Sequence, residues 1–145
     1  MKFDIIDPSK TLGTIEKEEI VDFLHEHLDE YNDTKKAIGN ALDYAMKINS
    51  VDGGFILVGR DNGKIVGIVV INRTGMKWYI PENILVYIAV DKNERGKGYG
   101  KKLMNKAIEH TKGNIALHVE SDNPARFLYE KVGFENKYLE YRLYK

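Results

Sequence analysis

The segment with the clearest chemical character is a glycine-rich turn between an apolar run and a helix-like stretch. The turn is Arg95-Gly96-Lys97-Gly98-Tyr99-Gly100-Lys101, and the apolar run covers residues 84–90. Glycines let backbone N–H groups approach a ligand without obstruction by a Cβ atom. A helix N-terminus adds about half a positive charge, and Arg95, Lys97 and Lys101 add full ones. The pattern predicts a cradle for a phosphate group; the alternative is a tight strand-to-helix turn without a ligand.

Two familiar phosphate-binding motifs do not fit this turn. A P-loop requires Gly-x-x-x-x-Gly-Lys-Ser/Thr, but Lys102 follows Gly100-Lys101, and Arg95 stands where the first glycine belongs. The dinucleotide fingerprint requires Gly-x-Gly-x-x-Gly, and Lys101 stands at its last glycine. The predicted cradle therefore serves a different phosphate-bearing ligand.

Other reactive groups are sparse. The chain has no cysteine, which excludes disulfides, a thiolate nucleophile and cysteine-bound zinc. His25 and His27 are two residues apart, whereas a helical zinc motif spaces its histidines by four. We therefore expect no metal site.

Composition limits the class of protein. The 145 residues are 43% hydrophobic and 30% charged, as expected for one folded domain over residues 1–145. No apolar run approaches about 20 residues, and the first residues do not resemble a signal peptide, so we expect a cytoplasmic protein without a membrane partner. The 22 basic residues balance 22 acidic ones, which argues against a nucleic-acid partner. The acids are concentrated in residues 14–33, which contain eight acids and one lysine.

Alternation and helical spacing predict an α/β (α+β) fold, with a mixed, mostly antiparallel sheet and helices on both faces. Thr14 is the expected N-cap of the first helix, Asp61-Asn62-Gly63 a hairpin turn, and Asn123-Pro124 the start of the last helix. The predicted order is β-α-α-β-β-β-α-β-α-β: residues 2–7, 15–31, 34–48, 54–60, 64–71, 84–90, 100–111, 115–119, 124–132 and 138–144.

Two segments resemble one known family, the GNAT superfamily of N-acetyltransferases. Arg95-Gly96-Lys97-Gly98-Tyr99-Gly100 resembles its Arg/Gln-x-x-Gly-x-Gly/Ala loop, and Ile88-Ala89-Val90 resembles the strand before it. The segment Asn123-Pro124-Ala125-Arg126-Phe127-Leu128-Tyr129-Glu130-Lys131-Val132-Gly133-Phe134 resembles its second signature, Asn…Ala-x-x-Phe/Leu-Tyr-x-x-x-Gly-Phe. The resemblance covers residues 84–134 and implies a GNAT-like fold. Two departures are Lys92, where the family commonly has proline, and a one-residue shorter spacing between Asn123 and Tyr129.

The resemblance implies acetyl-CoA as co-substrate. The pantetheine of acetyl-CoA would pair with the backbone of the strand at Ile88, Ala89 and Val90. Its pyrophosphate would bind the backbone amides of the turn, at Gly96, Lys97, Gly98, Tyr99, Gly100 and Lys101. Arg95 and Asn123 would also contact the cofactor. An amine would attack the thioester directly, and Tyr129 would protonate the leaving thiolate, because a phenol stays protonated at neutral pH. Three candidates for the general base are left open: His118, Glu120 and an ordered water. Both side-chain roles also have a non-catalytic alternative: Tyr129 would be an aromatic residue of the core, and His118 would be a solvated surface side chain.

The resemblance therefore predicts an acetyl-CoA-dependent N-acetyltransferase acting on a primary amine of a small molecule or peptide. The acid-rich first helix favours a cationic acceptor. The alternative is a CoA-binding regulatory domain without turnover, and a nucleic-acid-binding module is disfavoured because the basic stretch is short and diluted by acids. The identity of the acceptor and the oligomeric state are left open by the sequence.

Overall fold

A single five-stranded sheet forms the centre of the computed structural model, which describes residues 1–48 and 51–145. Its strands lie in the order β1-β2-β3-β4-β5. The elements in these residues are β1 (Lys2–Ile6), α1 (Thr14–His27), α2 (Lys35–Ala45), β2 (Gly54–Asp61), β3 (Lys64–Arg73), β4 (Asn83–Val90), α3 (Tyr99–His110), β5 (Ile115–Leu117) and α4 (Ala125–Val132), with 3-10 turns at Asp29–Tyr31 and Lys92–Glu94.

The sheet is mixed, as predicted. The strand pairs β1–β2, β2–β3 and β3–β4 are antiparallel, and β4–β5 is parallel. Asp61 pairs with Lys64, which leaves Asn62 and Gly63 as a two-residue hairpin turn with φ angles of 50° and 80°. Positive φ at both positions is what the favoured hairpin turn requires, so the hairpin prediction is confirmed.

Helices cover both faces of the sheet, which confirms the predicted layers. On one face, α1 and α2 bury Ile20, Leu24, Ile38 and Leu42 against the sheet. On the other face, α3 and α4 contribute Leu103, Met104, Ala107 and Tyr129 to a second cluster. The strands between the layers are buried on both sides, so β2 and β3 are nearly continuous apolar runs.

Both ends of the predicted first helix differ from the structure, and α2 is shorter than the predicted 34–48, because Thr34 is its N-cap and Met46 its C-cap. The N-cap of α1 is Gly13, and Thr14 is already helical, because the Gly13 carbonyl accepts the first helical hydrogen bond, from Lys17 N–H at 2.9 Å. The helix expected over 15–31 ends at His27, because Asp29 adopts a left-handed backbone conformation with a φ of 55°.

The prediction of a final strand over residues 138–144 is wrong. The order of elements is confirmed through α4, but residues 134–145 form neither helix nor strand. Side chains on both sides of the expected strand are exposed, including Tyr138 at 77%, Leu139 at 75% and Tyr141 at 88%. The neighbouring edge strand β5 has only three residues instead of the expected five, so it offers little backbone for pairing.

Among the described residues, no helix combines the length and the apolar character that crossing a membrane requires.

Candidate functional site: the cleft beside β4

The strands β4 and β5 separate after three residue pairs. β5 pairs with β4 only at Asn83, Ile84 and Leu85, whereas β3 pairs with β4 up to Val90. Where they separate, Val70 faces Tyr87 and Ile71 faces Leu85, so Val86 is an extra residue on β4. Such a bulge bends and twists the strand that carries it. The result is a cleft along the second half of β4.

The open edge of β4 offers backbone hydrogen-bonding groups to this cleft. Asp91 N–H donates to the Val66 carbonyl on the β3 side at 2.9 Å. Because the direction alternates along an antiparallel strand, Ala89 also faces β3, while Ile88 and Val90 face the cleft. Of the three residues expected at the pantetheine, Ile88 and Val90 thus present their backbone, and Ala89 lies in the core under α1 and α2.

The turn from β4 into α3 has the geometry of an anion cradle. Gly96 and Gly98 have φ angles of 80° and 82°, and a Cβ atom added to either would meet nothing within 4 Å. Gly98 is the N-cap of α3 and supplies no side chain to cap the helix. The first helical hydrogen bond is from Lys102 N–H to the Gly98 carbonyl at 3.2 Å. The N–H groups of Tyr99, Gly100 and Lys101 therefore have no helical acceptor and are free for a ligand.

Two basic side chains of the turn are already paired, which corrects the expected charge of the cradle. Arg95 is turned toward α1, where its Nη1 lies 2.8 Å from Asp29 Oδ2. Lys97 Nζ lies 2.5 Å from Glu94 Oε2, and this bond raises the pKa of Lys97. Lys101 has no ion-pair partner within the part of the chain that the structure describes.

The other two members of the turn contact neighbouring elements. The Tyr99 hydroxyl donates to Asp61 Oδ2 at 3.0 Å and attaches the start of α3 to the β2–β3 hairpin. A Cβ atom on Gly100 would come within 3.3 Å of Leu128 Cδ2. Gly100 therefore allows α3 to pack closely against α4, which is a structural reason for that glycine besides its N–H group.

Tyr129 lies in the core on the α3–α4 face. Its side chain is 8% exposed, and its ring packs edge-on against Phe134 with a centroid distance of 6.1 Å. The hydroxyl makes no hydrogen bond to any residue in 1–48 or 51–145. Burial raises the pKa of Tyr129 to about 12. The phenol is therefore protonated at neutral pH and has a proton to donate, and no structural hydrogen bond depends on it.

His118 lies at the surface just beyond β5. Its Nδ1 is 3.3 Å from Arg142 Nη2 and 3.7 Å from Glu140 Oε1. No hydrogen bond or ion pair joins it to Tyr129 or to the glycine turn among the described residues. The expected alternation does appear in burial, with Leu117 and Val119 partly buried and His118 and Glu120 exposed.

The Asn123 side chain binds the start of α4, whose N-cap is Pro124. Its Oδ1 accepts a hydrogen bond from Ala125 N–H at 2.9 Å, and α4 begins at Ala125, one residue after the predicted start. This hydrogen bond is a structural reason for asparagine at the position, and it leaves the side-chain NH₂ group available to a ligand. The role of Asn123 at a cofactor stays a prediction.

The connection between α1 and α2 closes one side of the cleft, and sequence reasoning missed its residues. The Tyr31 hydroxyl lies 3.3 Å from the Asp122 carbonyl, and the Tyr87 hydroxyl donates to Asp33 Oδ2 at 2.6 Å. Partial burial, together with three nearby carboxylates, raises the pKa of Tyr31; the carboxylates belong to Asp122, Glu30 and Glu120. The sequence signals for this side of the cleft were the acids of residues 14–33 and Tyr87, a polar hydroxyl within an apolar strand.

No group of three or more His, Cys, Asp or Glu side chains is arranged to hold a metal ion in the described residues.

Comparisons with known proteins agree with this geometry. The family model described as Acetyltransferase (GNAT) family matches residues 15–134. The chain is 35% identical over 78 residues to a [ribosomal protein bS18]-alanine N-acetyltransferase of Haemophilus influenzae, covering 51% of this chain and 50% of that protein. It is 32% identical over 88 residues to the N-alpha-acetyltransferase RimI of Mycobacterium tuberculosis, covering 59% and 55%. The chain thus spans about half the length of these curated relatives.

A solved structure resembles the whole fold. The crystal structure of PH1933 from Pyrococcus horikoshii OT3 has a TM-score of 0.70 and 28% identity, and the match covers 96% of this chain and 92% of that one.

Proposed function

Because this chain belongs to the acetyltransferase (GNAT) family, we propose that it transfers an acetyl group from acetyl-CoA to a primary amine. The observation that carries the proposal is the continuity between the open edge of β4 and the free N–H groups that begin α3. A ligand with a pyrophosphate at one end and an amide-bearing arm at the other matches both parts at once.

The residues of the cleft suit direct attack of the amine on the thioester. The Ile88 N–H faces the open edge, so it can donate a hydrogen bond to the carbonyl oxygen as negative charge develops there. When the new C–N bond forms and the C–S bond breaks, Tyr129 supplies the proton that the thiolate takes up. The surplus proton of the amine passes to a base or to water. His118 is the candidate base. Because Arg142 Nη2 can only donate to Nδ1, the neutral imidazole carries its proton on Nε2, so His118 takes up the amine proton at Nδ1 once Arg142 has moved away from it.

The acceptor we propose is the α-amino group of a peptide or protein. Both curated relatives are named for this type of acetylation, one on the alanine of a ribosomal protein and one on N-alpha groups. A small diamine or polyamine is the second candidate, since Glu30, Glu120 and Asp122 surround Tyr31 at the cleft. None of these three carboxylates forms an ion pair with another described residue.

The proposal is tested by measuring thiol release from saturating acetyl-CoA with a panel of acceptors. The panel contains peptides that begin with alanine, the same peptides blocked at the N-terminus, diamines and neutral amines, with the product identified by mass spectrometry. We expect thiol release and a mass increase of one acetyl group on unblocked peptides. CoA binding without thiol release on any acceptor would instead support the regulatory domain.

Charge at the cleft is expected to affect the acceptor. Glu30→Gln together with Glu120→Gln should raise KM for a cationic acceptor about fivefold, since exposed charge pairs each contribute up to about 1 kcal/mol, and added salt should have the same direction. The matched control is Glu26→Gln, which also removes a carboxylate charge but does so on α1, where Glu26 Oε2 lies 3.6 Å from His27 Nε2. If KM is unchanged both in the double variant and at raised salt concentration, these acids are surface residues without a role in binding the acceptor.

A further inference from the structure

The turn after α1 contacts the loops on both sides of the cleft. On one side, Asp29 and the His27 carbonyl contact Arg95 in the glycine-rich turn. On the other side, the Tyr31 hydroxyl lies 3.3 Å from the Asp122 carbonyl, in the loop that precedes α4. Residues 27–31 therefore connect the part of the cleft that suits the cofactor with the part that suits the acceptor.

Four contacts join this turn to the segment 92–95. Asp29 Oδ2 accepts from Arg95 Nη1 at 2.8 Å, and Asp29 Oδ1 lies 3.0 Å from Lys92 Nζ. Arg95 Nη2 donates to the His27 carbonyl at 2.8 Å, and Lys92 N–H donates to His27 Nδ1 at 3.1 Å. Both oxygens of one carboxylate and both terminal nitrogens of one guanidinium are thus engaged, an arrangement that fixes geometry well.

The anchoring residues are themselves held in place. The His27 side chain is 8% exposed, and the Phe23 ring lies against it at a centroid distance of 4.5 Å. Asp29 has a φ of 55°, which is uncommon for a residue with a side chain and persists where the surroundings fix it. The hydrogen bonds from Arg95 and Lys92 hold the pKa of the Asp29 carboxyl below its usual value, so Asp29 is ionised at neutral pH.

We propose that Arg95 and Asp29 form a latch that positions the glycine-rich turn against the residues 27–31, and that Arg95 does not bind the pyrophosphate. The third guanidinium nitrogen, Nε, lies 3.4 Å from the Val90 carbonyl, so all three nitrogens of the group have partners within the protein, while the side chain is 46% exposed. Both residues act through the backbone they position: the amides of the turn on one side and the acceptor-facing connection on the other. The inference rests on the proposed function.

A double-mutant cycle separates a latch from a phosphate ligand. The variants are Arg95→Gln, Asp29→Asn and the double variant, and the measurement is calorimetric titration with CoA alone. We expect each single variant to raise the Kd for CoA about fivefold and the double variant to raise it no further, since either change opens the same latch. If Arg95 bound the pyrophosphate instead, Asp29→Asn would release it, and CoA affinity would be unchanged or tighter. That result would overturn the proposal.

Kinetics distinguish positioning from a general loss of structure. Asp29→Asn should raise the KM for the amine together with the Kd for CoA, while kcat at saturation stays within about threefold. Arg95→Lys should recover part of the affinity, because one ammonium reaches Asp29 but cannot also satisfy the His27 carbonyl. An unchanged amine KM in Asp29→Asn would contradict the latch.

A second Arg–carboxylate pair on α1 provides the matched control. Arg60 Nη2 lies 2.9 Å from Glu19 Oε1 and joins α1 to β2 outside the cleft. Glu19→Gln should leave both CoA affinity and amine KM unchanged. A wild-type protein that releases no thiol with any amine would refute the proposed function, whereas an active wild type with unaltered CoA binding in Asp29→Asn would refute only the latch.

Discussion

Tyr129→Phe is expected to lower kcat about 100-fold while the Kd for CoA hardly changes. The phenylalanine keeps the ring that packs against Phe134 and removes only the proton of the hydroxyl. Because this hydroxyl makes no hydrogen bond to a described residue, the variant leaves no buried partner unsatisfied, and its thermal stability should match that of the wild type. Steady-state kinetics and a thermal melt on the same preparation measure both quantities.

The matched control for this variant is Tyr44→Phe. The Tyr44 hydroxyl donates to the Arg73 carbonyl at 2.6 Å, so its loss should lower the melting temperature and leave kcat unchanged. The pH profile adds a second check: with a pKa of about 12, Tyr129 stays protonated up to pH 10 and should cause no alkaline fall in kcat below that pH. If Tyr129→Phe retains kcat within a factor of two, water or another group protonates the thiolate.

The parts of the structure that could be predicted from the sequence depend on local periodicity. The hairpin at Asn62-Gly63, the buried strand β4 and the glycine turn before α3 each follow from a pattern within about ten residues. The prediction of the final strand was wrong because a strand depends on more than its local pattern. Its alternation was present, but a strand also needs a neighbour, and the three residues of β5 provide almost none.

The direction of side chains was the least predictable part of the candidate site. Arg95, Lys97 and Lys101 look equivalent in the sequence, yet two of them are paired with carboxylates. The partner of Arg95 is Asp29, 66 positions away, and it is presented by a left-handed backbone conformation that ends α1 early. A contact of this kind depends on how two layers of the fold meet, which local patterns do not encode.

Gly98→Val is expected to raise the Kd for CoA at least tenfold, about 1.4 kcal/mol. Gly98 has a φ of 82°, a conformation that valine disfavours strongly, and the valine side chain would enter the open space at the start of α3. The measurement is calorimetric titration of the folded variant with CoA. Gly100→Val is the poorer test, because its side chain would first collide with Leu128.

The control must separate backbone strain from loss of the cradle, and Gly63→Val does so. Gly63 has a φ of 80° and equally open surroundings, but it lies at the tip of the β2–β3 hairpin. Both variants should lose a similar amount of thermal stability, since both force a branched side chain into the left-handed region. Only Gly98→Val should lose CoA affinity, because only there do the N–H groups that begin a helix face the ligand. Equal CoA affinity in the two variants would mean that the pyrophosphate lies elsewhere and that the glycines serve only to turn the chain from β4 into α3.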